Sequence, residues 1–372
     1  MNNFTIEELK AFVLRASIDE PVRTSFGVMN DRPAVLIRVV ESTGIVGWGE
    51  SWCNFPACGA EHRGRLLETE IAPRLIGTQI EDPQNTFNAL TNELRALCNQ
   101  SGEYGPIAQI LAGVDVALWD IAAQKAQQPL WKFLGGATNK VSIYASGINP
   151  NNLEPIIKRK VDEGYKAFKL KVGFDPDQDR ANLYEIRRLI GPTKYLMADA
   201  NQAWSLAQAK TVIPSIENVG LLWIEEPIPS DASADEWREL SRFIRVPIAA
   251  GENLRDLSSF NWAIESRLYE VIQPDIGKWG GISGCLAIAK KCINNGITFC
   301  PHWLGSEVGL LASAHLLAAA GGHSYLEVDA NPNPLRELFD NSPLIPVDGE
   351  FHLDETPGLG RSPRLDLLKR YL

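Results

Sequence analysis

The sequence predicts an α/β protein, a (β/α)8-type barrel with an N-terminal α+β capping domain that the C-terminal tail completes. Short apolar, β-branched runs recur in the second half of the chain, and each precedes a stretch with helical periodicity. Charged residues end these runs at intervals of 23 to 28 residues, the length of one strand–loop–helix unit. The 372 residues suffice for a barrel of about 250 residues and a second unit.

The first 130 residues are predicted to form the capping domain, residues 131–333 the barrel, and residues 334–372 a tail that packs back on the cap. Apolar runs predict a strand over 34–40 and a second strand that begins over 45–48 and ends at Gly49-Glu50, with a glycine-punctuated turn at Gly44 and Gly47. Apolar residues at helical spacing predict a helix over 107–124. This part therefore combines an antiparallel sheet with helices.

The barrel half begins near residue 141 and contains recognisable helix boundaries. Asp175 followed by Pro176 predicts a helix start, and Ser233 with Glu236 predicts a capping box. The helix after the third strand is less regular because Pro214 interrupts it. The predicted strands cover 141–146, 165–172, 195–199, 221–225, 246–251, 269–275, 297–302 and 324–327.

Three carboxylates, Asp199, Glu225 and Glu252, end successive predicted strands. A single acid at a strand end is more often a surface charge or a helix cap. Three in register at one barrel rim would repel one another strongly without a cation, so they favour a metal site. Carboxylate oxygens suit Mg²⁺, which rarely takes all six of its ligands from protein and leaves room for water and a substrate acid.

Groups that can move protons flank these acids. Lys169 and Lys171 are two residues apart on one strand, so their side chains face the same side. Each disfavours protonation of the other, which lowers a lysine pKa towards neutrality and favours an unprotonated amine that can act as a base. His302 and Asp275 end neighbouring strands, where the carboxylate can orient the imidazole. Glu327 ends the eighth strand, and it either donates to a developing enolate or forms a salt bridge with a barrel lysine.

Taken in order, these motifs resemble the enolase superfamily and, within it, the mandelate racemase subgroup. The related muconate-lactonising subgroup has a second catalytic lysine where this chain has Asp275, which disfavours that subgroup. The motifs that carry the resemblance are Lys169-Leu170-Lys171, Asp199-Ala200-Asn201, Trp223-Ile224-Glu225-Glu226-Pro227, Gly251-Glu252-Asn253, Gln273-Pro274-Asp275 with Gly280-Gly281, Pro301-His302, and Leu326-Glu327-Val328.

The resemblance implies an enzyme that uses Mg²⁺, held by the three acids, to remove the proton α to a carboxylate and form an enolate. Lys171 resembles the family's base, and Lys169 and Glu327 would stabilise the enolate beside the metal. Dehydration of an acid sugar (an aldonate or aldarate) to a 2-keto-3-deoxy acid is favoured. Racemisation or epimerisation of a 2-hydroxy acid is the alternative, followed by cycloisomerisation and by a non-catalytic binding protein.

Substrate contacts are predicted from the barrel rim and from two capping loops, over residues 23–30 and 52–58, that would close over the site. The predicted contact residues are Asn201, Ser146, Arg23, Trp52, Asn54 and Trp303.

The net charge of −10 argues against nucleic acid or acidic membrane as a partner. The resemblance implies that the partner is a small-molecule carboxylate. The sequence contains no apolar run of about 18 residues, and residues 1–10 lack a signal-peptide pattern. The six cysteines form no paired framework and suit a reducing compartment, so a cytoplasmic location is predicted. The resemblance also implies a homo-oligomer, a dimer or an octamer.

Overall fold

The computed structural model of the protein describes residues 3–24, 27–151, 153–339 and 344–372. The strands are β1 (Phe4–Arg23), β2 (Val28–Glu41), β3 (Val46–Ser51), β4 (Gln79–Ile80), β5 (Lys140–Ile148), β6 (Ala167–Lys171), β7 (Tyr195–Asp199), β8 (Ile224–Glu225), β9 (Ile248–Ala250), β10 (Val271–Ile272), β11 (Thr298–Phe299), β12 (Leu326–Asp329) and β13 (Glu350–His352).

The α-helices cover the capping unit and the crossovers of the barrel. They are α1 (Gly59–Leu66), α2 (Ala72–Leu75), α3 (Pro83–Glu93), α4 (Arg95–Ser101), α5 (Tyr104–Lys125), α6 (Leu130–Phe133), α7 (Leu153–Asp162), α8 (Pro176–Ile190), α9 (Leu206–Ile216), α10 (Ala234–Phe243), α11 (Leu257–Ser266), α12 (Gly281–Asn294), α13 (Glu307–Ala320) and α14 (Leu365–Leu368). A π-helical segment, Leu67–Ile71, joins α1 to α2.

The predicted barrel architecture is confirmed. Strands β5 to β12 form a curled parallel sheet in the order β11-β10-β9-β8-β7-β6-β5-β12, with a helix between each pair of consecutive strands. β12 returns beside β5, where Glu327 pairs with Tyr144, so the sheet curls back on its first strand. The carboxyl ends of all these strands therefore meet at one rim, as they do in barrel enzymes.

Several barrel strands are shorter than predicted, and prolines explain three of them. Proline has no backbone N–H and cannot donate to a strand ladder. Pro247 delays the start of β9 to Ile248, and Pro274 and Pro301 follow the ends of β10 and β11. The predicted helix starts agree with the structure: Asp175 accepts from the Gln178 backbone, and Ser233 forms the capping box with Glu236.

The cap contains an antiparallel sheet in the order β3-β2-β1-β4. The predicted strand over 34–40 lies within β2, the strand predicted from 45 corresponds to β3, which begins at Val46, and the predicted helix over 107–124 lies within α5. The 20-residue β1 was not predicted. Its register shifts between Ile6 and Glu8 and again between Ser17 and Val22, which breaks the period-two alternation that marks a strand.

Helix α5 is long and apolar enough to cross a membrane by length and composition alone, but 89% of that window is buried inside the protein, as in a core helix. It lies directly against β3. A Cβ added at Gly49 would be 1.8 Å from the Gly113 carbonyl oxygen, and one added at Gly47 would be 2.2 Å from that of Ala117. Glycine is therefore required on this face of β3 for close backbone approach.

We expect Gly49→Ala to lower the free energy of unfolding by about 1–3 kcal/mol, because the methyl group would force α5 away from β3. Gly105→Ala, in the first turn of α5, is the control, since a Cβ there would meet nothing within 4 Å. Chemical denaturation of the two variants measures the difference. Equal stability of both variants would show that the α5–β3 contact tolerates extra volume.

The tail contacts both units. β13 pairs with β5 through Glu350 and Ser142, on the barrel side. On the cap side, the Arg15 N–H donates to the Tyr371 carbonyl at 2.8 Å, and the Leu359 N–H donates to Asp120 at 2.8 Å. The domain boundaries at residues 130 and 333 remain predictions.

Candidate active site

The predicted catalytic and metal-binding residues, together with Ser146, lie at the carboxyl-end rim of the barrel and are buried, none more than 8% exposed. The strand register brings Lys171, Asp199 and Glu225 together, because Lys171 is the backbone partner of Asp199 in the β6–β7 ladder and Asp199 that of Glu225 in the β7–β8 ladder. In chain order, they are Ser146 on β5, Lys169 and Lys171 on β6, Asp199 on β7, Glu225 on β8, Glu252 after β9, Asp275 after β10, His302 after β11, and Glu327 on β12.

Lys169 lies among three carboxylates. Its Nζ is 2.5 Å from Glu225 Oε2, 2.7 Å from Glu327 Oε1 and 4.0 Å from Asp199 Oδ2. Burial by itself lowers the pKa of Lys169, but the charges of Glu225 and Glu327 outweigh it and raise this pKa well above its usual value. For Lys169 the predicted lowering of the pKa towards neutrality is therefore wrong, because the neighbouring carboxylates of Glu225 and Glu327 favour the ammonium form.

Lys171 has polar partners on the neighbouring strand. Its Nζ donates to Asn201 Oδ1 at 2.6 Å and lies 3.3 Å from Asp199 Oδ2. Asn201 in turn donates its backbone N–H and its side-chain amide to Asp199, at 2.8 and 3.1 Å. Asn201 has a positive φ of 43°, a left-handed conformation that Asn tolerates better than most residues. The turn after β7 thus places Asn201 between the lysine and the acid.

Asp199, Glu225 and Glu252 form a row of carboxylates along the rim, the acidic row, and His302 lies at the end opposite Lys171. Its Nδ1 is 2.6 Å from Asp275 Oδ2, and its Nε2 is 2.6 Å from Glu252 Oε2. Burial alone would lower the pKa of His302, but the charges of Glu252 and Glu327 raise it well above its usual value. Burial alone would raise the pKa of Glu252, and the charges of His302 and Lys278 bring it well below its usual value. Asp275 thereby orients the ring, with Nε2 towards Glu252.

Glu327 accepts hydrogen bonds from three sides. Ser146 Oγ donates to Oε1 at 2.5 Å, the Trp303 N–H donates to Oε2 at 2.8 Å, and Lys169 pairs with Oε1. Burial would raise the pKa of Glu327, but Lys169 and His302 lower it to about 2. Of the two roles predicted for Glu327, the structure contains the salt bridge with a barrel lysine.

The acidic row suits a divalent cation. Glu225 Oε1 is buried, and among the residues that the structure describes it has no hydrogen-bond partner. Burial raises the pKa of Glu225 to about 7, with the charge of Lys169 lowering it and those of Asp199 and Glu327 adding to the rise. A hard cation would occupy the free oxygen and relieve this repulsion, and Asp199, Glu225 and Glu252 are the residues that would hold it.

The carboxylates are not already arranged around one centre. Within the described ranges, no three acidic, histidine or cysteine side chains stand at metal-ligand spacing. The physical reason is competition, because Lys169, Lys171 and His302 each lie within ion-pair distance of at least one of these carboxylates. Holding a cation therefore requires carboxylate oxygens to exchange these partners.

The remaining predicted contact residues are distributed differently. Trp303 is buried, and its indole N–H donates to the Ser306 carbonyl at 2.9 Å. Arg23 lines a cavity of about 460 Å³ beside the loops that follow β5 and β12. Asn54 is half-buried in the loop after β3. Residues 25 and 26, within the first predicted capping loop, lie outside the described residues.

Lys278 was not predicted from the sequence. Its Nζ lies 3.4 Å from Glu252 Oε1 and 4.7 Å from the centre of the Trp52 ring, a cation–π contact. The Trp52 N–H also donates to the Gly277 carbonyl at 3.1 Å, so the loop after β3 docks on the loop after β10. The nearby motif with Asp275 and a glycine pair marked this loop, but nothing local distinguished its lysine from a surface charge.

Comparison with known proteins finds matches to two domain families, one over the cap and one over the barrel. Residues 8–135 match the N-terminal domain of the mandelate racemase / muconate lactonizing enzyme family, and residues 154–367 match the enolase C-terminal domain-like family.

Two characterised relatives differ in their reactions. The chain is 33% identical over 298 residues to L-talarate/galactarate dehydratase of Salmonella typhimurium, covering 78% of this chain and 71% of the relative. It is 27% identical over 384 residues to D-galactarolactone cycloisomerase of Agrobacterium fabrum, covering 98% of both. The relatives are therefore enzymes, and they do not share one reaction.

Two solved structures are close in fold. A mandelate racemase/muconate lactonizing enzyme from Bordetella bronchiseptica RB50 is 46% identical, with a TM-score of 0.93 and 99% of both chains covered. An enolase from Bradyrhizobium complexed with magnesium and mandelic acid is 28% identical, with a TM-score of 0.87, covering 100% of this chain and 99% of that one. The chain therefore belongs to the enolase superfamily and, within it, to the mandelate racemase subgroup.

Proposed function

We propose that the protein is a Mg²⁺-dependent hydro-lyase that dehydrates an acid sugar, an aldonate or aldarate, to a 2-keto-3-deoxy acid. The observation that carries this proposal is the position of two proton-transfer groups at the ends of one acidic row. Lys171 lies 3.3 Å from Asp199, and His302 lies 2.6 Å from Glu252. A carboxylate substrate bound at the middle of the row would have its α-carbon between them.

The cation supplies Lewis acidity that polarises the substrate carboxylate. In the reaction, Lys171 takes the proton from C2, and the C3 hydroxyl leaves as water with a proton from His302. The enol that remains becomes the 2-keto-3-deoxy acid by losing the proton of its C2 hydroxyl and taking up a proton at C3. Asp275 holds the His302 ring so that Nε2 faces the substrate.

Enolate charge requires hydrogen-bond donors close to the substrate carboxylate. We assign this role to Lys169, whose ammonium group is oriented by Glu225 and Glu327. Glu327 acts in this scheme by holding Lys169, because an ionised carboxylate can accept but cannot donate. Asn201 and Ser146 remain proposed substrate contacts at the rim, and Trp52, Asn54, Arg23 and Trp303 remain predictions for the capping side.

Racemisation or epimerisation of a 2-hydroxy acid is the second candidate. It uses the same two groups, one returning the proton that the other removed, and the Bradyrhizobium enolase that the chain resembles was solved with mandelic acid, a 2-hydroxy acid. Cycloisomerisation is a third candidate, motivated by the Agrobacterium relative. A cytoplasmic homo-oligomer, a dimer or an octamer, remains a prediction.

A substrate screen distinguishes these reactions. Mono- and diacid sugars are incubated with the protein and Mg²⁺, 2-keto acid formation is measured, and the same panel is repeated in D2O. Keto acid formation supports dehydration. Deuterium incorporation at C2 with inversion and without a keto product would replace the dehydratase by an epimerase, and no exchange with any acid would remove the shared proton-transfer step.

We expect Glu252→Gln to weaken Mg²⁺ binding by roughly 10- to 100-fold or more, because a neutral amide replaces one of three anionic ligands. Isothermal titration calorimetry with Mg²⁺ alone measures this without any substrate. Glu239→Gln is the control, an exposed acid paired with Lys210 on the surface. Unchanged Mg²⁺ affinity in Glu252→Gln would contradict the proposed ligand set.

A further inference from the structure

Glu50, at the end of the cap strand β3, reaches across to the barrel and binds the start of α13. Its Oε1 accepts the Ser306 N–H at 2.8 Å, and its Oε2 accepts the Ser306 hydroxyl at 2.5 Å and the Gly309 N–H at 2.9 Å. Ser306 is the N-cap residue of α13. Glu50, a residue of the capping domain, thus supplies the hydrogen-bond acceptor that the backbone N–H groups in the first turn of α13 need.

The loop held in this way leads back to the active site. Between β11 and α13, Trp303 donates its indole N–H to the Ser306 carbonyl at 2.9 Å and its backbone N–H to Glu327 Oε2 at 2.8 Å. Glu327 in turn lies 2.7 Å from the Lys169 ammonium group. Hydrogen bonds therefore run without a break from Glu50 through Ser306 and Trp303 to the Glu327–Lys169 pair.

The Trp303 ring leaves this loop little freedom to adjust. A Cβ added at Gly309 would lie 2.0 Å from the ring, one at Gly305 2.3 Å, and one at Gly277 2.7 Å. The indole thus fills a slot walled by glycine backbone, in which a displacement of one wall has to move the ring. Because Gly309 is itself held by Glu50, a shift at Glu50 moves a wall of that slot.

We propose that Glu50 is a positioning residue, which sets the Trp303–Ser306 loop from the capping domain and thereby holds the Glu327–Lys169 pair in the geometry that the enolate requires. This inference rests on the proposed function for its catalytic consequence. Its structural part, the link from the cap to the loop after β11, stands on the contacts alone. In this proposal the cap acts on the reaction centre through the scaffold of the barrel.

Glu50→Gln tests the proposal, because both oxygens of Glu50 accept and a glutamine amide can accept through only one of its two terminal atoms. We expect kcat to fall by about 10- to 100-fold with little change in KM, since the substrate still binds but the enolate loses a correctly placed Lys169. Amide hydrogen exchange across residues 303–309 is expected to accelerate. Ser306→Ala removes one of the three donors, and we expect a smaller change in the same direction.

The matched control is Asp120→Asn. Asp120 is also a buried carboxylate of the cap, and it accepts the backbone N–H groups of Trp48 and Leu359 at 3.0 and 2.8 Å. Among the described residues its hydrogen-bond partners are Trp48, on the same strand as Glu50, and Gln124 and Leu359, and none of them lies in 303–309. This variant should therefore lose stability but keep the wild-type kcat and the wild-type exchange in 303–309. A purely structural role for Glu50 would make the two variants alike.

The outcomes separate this inference from the proposed function. Faster exchange in 303–309 for Glu50→Gln, with wild-type protein that turns over no acid sugar, supports the link and rejects the dehydratase. Wild-type kcat and wild-type exchange in Glu50→Gln overturn the positioning role whatever the reaction is. If Glu50→Gln fails to fold, Ser306→Ala decides, and unaltered kcat and exchange in that variant overturn the proposal.

Discussion

Lys171→Ala is expected to lower kcat for dehydration by roughly 10²- to 10⁴-fold and to abolish deuterium exchange at C2 of the substrate, because it removes the proposed base. The variant keeps the carboxylates, so Mg²⁺ binding should persist. Both readouts come from one experiment, turnover in D2O followed by NMR of substrate and product. Loss of turnover together with loss of exchange is the result that identifies proton abstraction as the affected step.

Lys166→Ala is the control for this experiment. Lys166 precedes the same strand but is exposed and pairs with Asp348 on the surface. Its removal should leave kcat and exchange at the wild-type values. Near-normal kcat in Lys171→Ala would remove Lys171 from the mechanism, and a residual exchange rate equal to wild type would assign the abstraction to another group.

His302→Asn is expected to lower dehydration by a similar factor, roughly 10²- to 10⁴-fold, but to leave C2 exchange in place. The proposed scheme gives His302 the second proton transfer, to the departing hydroxyl, so Lys171 can still remove and return the C2 proton. Asparagine retains a polar group beside Asp275 and Glu252, which limits the structural damage. Exchange without elimination is therefore the signature of a dehydratase with Lys171 as base.

The same variant separates the second candidate reaction. In a racemase or epimerase, each group acts on one face of the substrate, so His302→Asn would lose exchange for one stereoisomer and keep it for the other. His352→Asn is the control, because His352 is 42% exposed and pairs only at 3.8 Å with Glu350. Wild-type turnover in His302→Asn would exclude His302 from both schemes.

The barrel and the order of the site residues could be predicted from the sequence because both depend on short-range regularities. A strand–loop–helix unit has a typical length, so charged residues at strand ends such as Asp199 and Glu225 recur at that interval and meet at one rim. The side chains of Lys169 and Lys171 share a side because strand residues alternate. Where the local pattern was broken, as in β1 with its register shifts, the prediction missed the strand.

Beyond the Asp275–His302 pair and the salt bridge of Glu327, the partners of the site charges could not be predicted, because they depend on residues distant along the chain. Glu225 and Glu327 form ion pairs with Lys169 and raise its pKa, where the sequence had predicted that Lys171 would lower it. Glu252 lies against His302 as well as along the acidic row. Lys278 and Trp52 come from different units. The Lys278–Trp52 contact depends on how the cap docks on the barrel rim, and the other pairings depend on which strand ends meet at that rim.

The sequence by itself therefore determined the fold class, the residues at the rim and the family, since each could be predicted from the spacing of residues or from short motifs. Only the tertiary structure decided which groups are charged and which hold others in place. Glu50 is the clearest case, because it binds Ser306, 256 residues further along the chain. Burial makes such long-range contacts strong, since each charge or hydrogen bond is removed from water, and no local pattern encodes them.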